Sequence, residues 1–172
     1  AFYATTPFGT ADTTPAGDTR IQNVAARGDT VLARGINRVG TNGDDVITGT
    51  PYDDRLSGRG GTDTLVINAN FADVTVSQAN SLTLISGPQG RDLVSGFERF
   101  RFNDATIAVD DANRLVDDLH YLSRNQDVFR AGVDADAHYA AFGWREGRDP
   151  SAFFSTTGYL AANRDVRTAG VN

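Results

Sequence analysis

The sequence predicts a β + α protein, with short strands in its first two thirds and short helices in its last third. Two observations support this prediction. A nine-residue pattern recurs from residue 40 to 66, and two similar sequence segments near the carboxyl end lie 38 residues apart. Turn residues alternating with apolar residues at so short a period are typical of brief strands. A unit of 38 residues holds two or three short helices, which need neighbouring units to bury their apolar faces.

The nine-residue pattern occurs three times in succession, as GTNGDDVIT, GTPYDDRLS and GRGGTDTLV. Each unit has glycine first and Ile or Leu eighth, and its sixth residue is an aspartate, namely Asp45, Asp54 and Asp63. Glycine permits tight turns that point carbonyl oxygens inward, and carboxylates add hard oxygen ligands, so the pattern indicates calcium binding. The alternative is a series of turns with solvated carboxylates, which three units in strict register disfavour.

These units resemble the GGxGxDxUx nonapeptide of the repeats-in-toxin (RTX) family, in which U is a large apolar residue. They depart from it at the second glycine, which is Thr or Arg here, and at Tyr52 in the middle unit. In the family each nonapeptide is half a coil of a parallel β-roll, and alternate repeats share an ion on one edge. The resemblance therefore implies that Asp45 and Asp63 face one calcium, while Asp54 lies on the opposite edge. The carbonyl ligands it implies for the first edge are those of Thr41, Gly43, Arg59 and Gly61.

The residues after the repeats favour a β-rich cap. Val74–Val76 and Leu82–Ile85 are β-rich runs that predict a hairpin. The stretch 90–110 resembles the cap that closes many RTX rolls, and its alternation places Phe100 and Phe102 on one buried face. The nine residues from Gly87 repeat the glycine and aspartate spacing once more. Their sixth residue, Asp92, either completes the second edge with Asp54 or only caps a turn.

The 38-residue spacing relates YLSRNQDVFRAGV, which begins at Tyr121, to YLAANRDVRTAGV, which begins at Tyr159, with eight of thirteen positions identical. Between them, Asp134 is expected to cap a helix on which Tyr139 and Phe142 share one face. The stretch 121–171 resembles a repeat of large exported bacterial proteins, a resemblance that implies no defined chemistry. The Asn and Asp residues of each copy are read as ligand pairs or as helix caps, and capping is favoured; they are Asn125, Asp127, Asn163 and Asp165.

Composition limits the partners. The 172 residues contain no Cys and no Met, all 16 cations are Arg, and the net charge is -6 with a pI near 4.7. An acidic chain of this kind is not expected to bind nucleic acid or to be held on anionic membranes, and no apolar run is long enough to insert directly into a membrane. Without disulfides, bound calcium is the expected staple.

The complete expectation has three parts. Residues 1–39 form an amino-terminal lead or covering segment, and residues 40–112 form a short parallel calcium β-roll with a β-rich cap. Residues 113–172 form a small α-helical repeat region of about one and a third units. No HExxH or GxSxG motif is present, and His120 and His138 are the only histidines, so no enzyme activity is expected.

The function this favours is that of a secreted, non-catalytic calcium-binding structural or assembly protein of surface-layer, filament or adhesin type. Its expected partners are calcium ions and other copies of itself or surface proteins. The alternative is a secretion and folding appendage of a secreted hydrolase whose catalytic domain is not in this chain. The RTX resemblance implies type I secretion, and therefore an extracellular or cell-surface location.

Overall fold

The computed structural model describes residues 34–109 and 115–170, together with two short strands near the amino end. Strands and helices follow one another in the predicted order, which confirms a β + α chain. The strands are β1 (Asp12–Thr13), β2 (Thr19–Arg20), β3 (Asn37–Val39), β4 (Val46–Thr48), β5 (Arg55–Ser57), β6 (Thr64–Val66), β7 (Thr75–Ala79), β8 (Leu82–Gly87), β9 (Gly90–Ser95), β10 (Arg99–Arg101) and β11 (Thr106–Ala108). The helices are α1 (Asp118–Arg124), α2 (Gln126–Arg130), α3 (Ala135–His138), α4 (Thr156–Ala162) and α5 (Arg164–Ala169).

The nine-residue repeats set the topology. Each contributes a turn and a strand of three residues, and successive strands β3 to β6 alternate between two sheets. The first sheet has the order β11-β10-β6-β4 and the second the order β3-β5-β9-β8-β7. Pairing within the repeats is parallel, so strands eighteen residues apart lie side by side, as β4 does with β6. The described residues do not form a closed roll, and in this respect the expected β-roll is only partly present.

The two sheets face each other across one apolar core. The eighth residue of each repeat points into it, because side chains alternate along a strand and only one face of each sheet is covered. Ile47, Leu56 and Leu65 are all buried there. Among their core neighbours, Phe100 and Phe102 are buried as the alternation predicted, while Arg99 and Arg101 are exposed.

The predicted hairpin is confirmed, with antiparallel pairing of β7 and β8. Strand β8 pairs with β9, which runs parallel to β5 and thus ties the cap to the repeats. Strand β10 continues the first sheet in parallel beside β6, and β11 closes it in antiparallel fashion.

The helices are short, and three of them, α1, α3 and α4, begin at a residue whose side chain caps them. Asp117 accepts a hydrogen bond from His120 N at the start of α1, and Asp134 accepts one from Ala137 N at the start of α3, as predicted for Asp134. Helix α3 continues into a π-helical turn, Tyr139–Gly143, whose wider spiral changes which side chains face inward. Tyr139 is buried but Phe142 is 59% exposed, so the two side chains do not lie together in the core.

The helical unit packs directly on the sheets. Leu119 of α1 belongs to the sheet core, and the rings of Phe71 and Phe129 meet with centroids 4.8 Å apart. Gln78 of β7 donates a hydrogen bond of 2.8 Å from Nε2 to Asp117 Oδ2 at the start of α1. A second small core within the helical unit is built around Tyr121, Val128 and Tyr139. Within the described ranges, no helix is long and apolar enough to cross a membrane.

Candidate calcium sites

The turns of the first and third repeats stack on one edge of the two sheets. Asp45 N donates a hydrogen bond of 2.8 Å to Asp63 Oδ1, eighteen residues further along the chain. Beside it, Thr62 N donates to Asp44 Oδ1 at 2.7 Å, so the fifth residues of the two turns are joined as well. Asp45 and Asp63, which the resemblance assigns to one ion, therefore lie in adjacent turns.

A third carboxylate extends this edge. Asp63 N donates to Glu98 Oε2 at 2.7 Å, in the same way that Asp45 N donates to Asp63. Sequence reasoning missed Glu98, because it lies 35 residues after Asp63 rather than eighteen. The sequence signal that could have indicated Glu98 is Gly96, two residues before it. Gly96 starts a shortened turn before β10 and packs against Gly58 and Arg59.

The second edge has the same ladder. Ile36 N donates to Asp54 Oδ1 at 2.7 Å, and Asp54 N donates to Asp92 Oδ1 at 3.0 Å. Arg91 N donates to Asp53 Oδ1 at 2.8 Å, repeating the fifth-residue contact of the first edge. Asp92 thus lies beside Asp54, within strand β9 and 38 residues along the chain.

Asp45 and Asp54 are satisfied by the threonine that replaces the second glycine of their own repeats. Thr41 donates to Asp45 Oδ2 from its backbone N at 2.6 Å and from its hydroxyl at 2.9 Å. These two hydrogen bonds hold the pKa of the Asp45 carboxyl below its usual range. Thr50 donates to Asp54 from the same two groups but to different oxygens, from its backbone N to Oδ2 at 2.6 Å and from its hydroxyl to Oδ1 at 2.7 Å.

Asp63 differs because its repeat has Arg59 at the second position, which supplies no such hydroxyl. The Asp63 carboxylate is fully buried, and its Oδ2 has no hydrogen-bond partner among the described residues. A buried carboxylate oxygen without a donor is strongly unfavourable unless a cation is close to it. This oxygen is therefore the best-marked cation ligand of the first edge.

The backbone around Asp63 leaves space that only glycine provides. A Cβ at Gly58 would collide with the Gly96 carbonyl oxygen and with Asp63 Oδ2. Gly61 has a φ of 116°, and a Cβ there would lie 2.7 Å from the Gly43 carbonyl oxygen. Arg59 has a left-handed φ of 77°, the conformation for which the family uses glycine.

These features fit calcium, a hard cation that takes six to eight oxygen ligands. Asp63, with Asp45 and the carbonyls of the stacked turns, would hold an ion on the first edge. Glu98 stands at the far end of that ladder. Within ranges 34–109 and 115–170, no three carboxylate or imidazole side chains cluster closely enough to hold a metal alone. Backbone oxygens are therefore required, as the resemblance implies for Thr41, Gly43, Arg59 and Gly61.

The second edge also concentrates negative charge. Asp54 and Asp92 are both buried, and burial raises the pKa of Asp92 to about 6, with the charges of Asp54 and Asp53 acting in the same direction. The hydrogen bond from Asp54 N opposes this shift. A cation beside the pair would favour the charged form of Asp92, so this edge also suits a calcium ion.

Outside the two edges, the residues considered as possible metal-ligand pairs form other interactions. Asn125 Nδ2 donates to Tyr121 O at 2.7 Å, which matches the capping interpretation. Asp127 forms a bidentate pair with Arg148 at 2.7 and 2.8 Å, which lowers the pKa of Asp127 to about 2. His138 Nδ1 lies 2.8 Å from the Tyr121 hydroxyl, and His120 is a buried residue of α1.

The geometry of both edges defines a calcium-binding class of repeat. The family model of the RTX calcium-binding nonapeptide repeat matches residues 39–67. RTX nonapeptide repeats bind calcium, and the chain therefore carries calcium as its cofactor in this segment. Comparison with curated proteins and with solved structures gave no match.

Proposed function

We propose that this chain is a secreted, non-catalytic calcium-binding structural or assembly protein. The observation that carries the proposal is the buried Asp63 oxygen without a partner, which lies inside the segment matched by the RTX repeat. The two facing sheets act as a calcium-dependent β-roll with ions along both edges. RTX repeat proteins are typically secreted, which supports an extracellular location.

Calcium should control whether the sheets form. Five acids lie between residues 44 and 63, with only Arg55 and Arg59 near them in sequence. Without a cation these carboxylates repel one another, and at least one of them is buried without compensation. Calcium at roughly 0.1–1 mM, a range typical of extracellular modules, should therefore order the sheets.

Far-ultraviolet circular dichroism during a calcium titration tests this step. The β signal should rise with calcium and be lost in chelator, while magnesium at equal concentration should produce a smaller change because it gives up its water reluctantly. The same β signal in chelator and in millimolar calcium would reject the calcium-dependent fold.

The assembly part of the proposal draws on the helical unit. Its core contacts to the sheets, through Leu119 and the Phe71–Phe129 pair, make the ordered sheets a rigid base for the helices. This unit exposes large apolar side chains, including Phe142, Phe153 and Tyr159. Exposed apolar surface of this kind is typical of a contact surface.

Sedimentation at several protein concentrations, with and without calcium, tests assembly. Association that requires calcium supports the structural role. A monomer under all conditions would instead favour the role of a secretion and folding appendage for a hydrolase domain encoded elsewhere in the same protein.

A further inference from the structure

The helical unit contains two copies of one helix pair. Helices α1 and α2 form the first copy and α4 and α5 the second, offset by 38 residues. Their local hydrogen bonds correspond: Asn125 Nδ2 donates to Tyr121 O at 2.7 Å, and Asn163 Nδ2 donates to Tyr159 O at 2.9 Å. The glycines that follow the two pairs, Gly132 and Gly170, have the same φ of 63°. The two copies therefore present equivalent faces.

In the first copy, α3 and the π turn cover that face. Tyr121 is completely buried, with its hydroxyl 2.8 Å from His138 Nδ1 and its ring 6.0 Å from that of Tyr139. Gly143 lies so close to the Tyr121 hydroxyl that a Cβ would collide with it. The covering segment is thus matched to the tyrosine in shape and in hydrogen bonding.

An arginine follows five residues after the π turn, so the whole covering segment comprises residues 134–150. Arg148 donates to both carboxylate oxygens of Asp127 and, at 2.9 Å, to Asn125 Oδ1. The guanidinium therefore binds both members of an Asn-Asp pair at the beginning of α2. Bidentate pairing of this kind is specific to arginine, because its planar fork matches a carboxylate.

In the second copy this face has no such cover. Tyr159 is 44% exposed, although its counterpart Tyr121 is completely buried. Asn163 and Asp165 repeat the Asn-Asp pair, and Asp165 is exposed and forms no ion pair within the described part of the chain. One side of α4 is already held, since Leu160 packs on the helical core and Thr156 Oγ1 donates to Arg148 O. What remains open is the equivalent of the surface that α3 and the π turn occupy.

We propose that the open face of α4 and α5 is a docking site for a partner helix with the chemistry of α3 and the π turn. Such a partner presents a His-Tyr pair to Tyr159 and, ten residues after the histidine, an arginine to Asn163 and Asp165. The proposal rests on the assembly role and names its contact: residues 134–150 of a second copy leave their own α1 and α2 and dock on the open face of the first copy. The negative Asp165 and the positive arginine make the pairing complementary in charge.

A fluorescent synthetic peptide with the sequence of residues 134–150 tests this with the full chain in calcium. Fluorescence anisotropy should show saturable binding. Asp165→Asn in the protein should weaken binding about tenfold, because a bidentate charge-assisted contact is lost. Tyr159→Ala should weaken it as well, and the peptide with the Arg148→Gln change should bind poorly.

The matched control is the peptide with Arg145→Gln, which has the same net charge. In the folded chain Arg145 donates to Ala141 O and lies over the Trp144 ring, so its contacts stay within the segment. This control peptide should bind nearly as well as the unaltered one.

Equal binding to the unaltered and Asp165→Asn proteins would overturn the proposal, as would equal loss with the two arginine changes. Calcium-dependent self-association in the sedimentation experiment, without any binding of the peptide, would reject this docking site but would still support the assembly role. Peptide binding that depends on Asp165 would support the site even if circular dichroism rejected the calcium-dependent fold.

Discussion

Replacing Asp63 by asparagine should remove the stabilisation that calcium provides on the first edge. The amide keeps an oxygen for the hydrogen bond from Asp45 N, which measures 2.8 Å, and exchanges the unpartnered Oδ2 for an uncharged group. At a calcium concentration 100 times the dissociation constant, a bound ion adds about 2.7 kcal/mol of stability. For a chain of this length that corresponds to about 5–10 °C in the unfolding midpoint.

The assay is thermal unfolding followed by circular dichroism, with calcium and with chelator. The unaltered chain should gain the full shift with calcium, and Asp63→Asn should lack the part that the ion on the first edge contributes. In chelator Asp63→Asn should be at least as ordered as the unaltered chain, because the substitution removes a buried charge that nothing compensates.

Asp54→Asn is the matched control in chelator, since Asp54 is also buried but both of its oxygens accept hydrogen bonds. Its amide nitrogen would face donors from Thr50 or Ile36, which would leave a buried donor unsatisfied and destabilise the chain by about 1–3 kcal/mol even without calcium. The reasoning is refuted if Asp63→Asn keeps the full calcium shift, or if both variants behave alike in chelator.

Three further outcomes are expected. Gly58→Ala should destabilise the chain by about 1–3 kcal/mol, because its Cβ would collide with backbone and carboxylate oxygens. Gly60→Ala should be nearly neutral, because no atom lies within 4 Å of a Cβ at that position. Urea unfolding of both variants measures the difference. Phe129→Ala should cost about 1–3 kcal/mol and separate the unfolding of helices and sheets, since its ring joins them; one unchanged cooperative transition in calorimetry would contradict this. Burial lowers the pKa of His120 below its usual 6.5, so stability should be complete above pH 6.5 and fall as the pH drops below it. In unfolding at pH 7.5 and 5.5, His120→Gln should lose that part of the pH dependence, and an unchanged slope would assign it to other groups.

The repeats made much of the sheet structure predictable. A fixed nine-residue period determines which residues turn and which point inward, so Ile47, Leu56 and Leu65 could be assigned to the core from spacing alone. The hydrogen bond between Asp54 and Asp92 could also be anticipated from the sequence. The segment from Gly87 keeps the glycine and aspartate spacing of the repeats, although a hairpin separates it from them.

Other parts of the site depend on contacts that spacing does not encode. Glu98 was missed because its turn is shortened, which breaks the period before the third carboxylate of the first edge. Thr41 and Thr50 looked like departures from glycine, yet they donate to the aspartates of their own repeats. The threonine hydroxyl contributes this only once the turn has folded and brought residues four positions apart into contact.

The helical unit was predictable at its caps but not at its π turn. Asp134 is followed by helix-compatible residues, and its capping role depends only on local sequence. The wider turn, in which Phe142 is exposed, packs against the distant Tyr121, whose hydroxyl occupies the space beside Gly143. A regular period of 3.6 residues cannot anticipate such a change.

The hydrogen bonds to the sixth-position carboxylates and to Glu98 run in one direction, opposite to that of the fifth-residue bonds from Thr62 N and Arg91 N. On each edge, a backbone N donates to a carboxylate that comes later in the chain: Asp63 and Glu98 on one side, Asp54 and Asp92 on the other. The final acceptors, Glu98 and Asp92, both lie in the cap rather than in the matched repeats. Because a ribosome delivers the amino end first, the repeats emerge before the acceptors that complete their ladders. We therefore expect order to spread backward from the cap, so that the last-made part of the sheets acts as the template for the first.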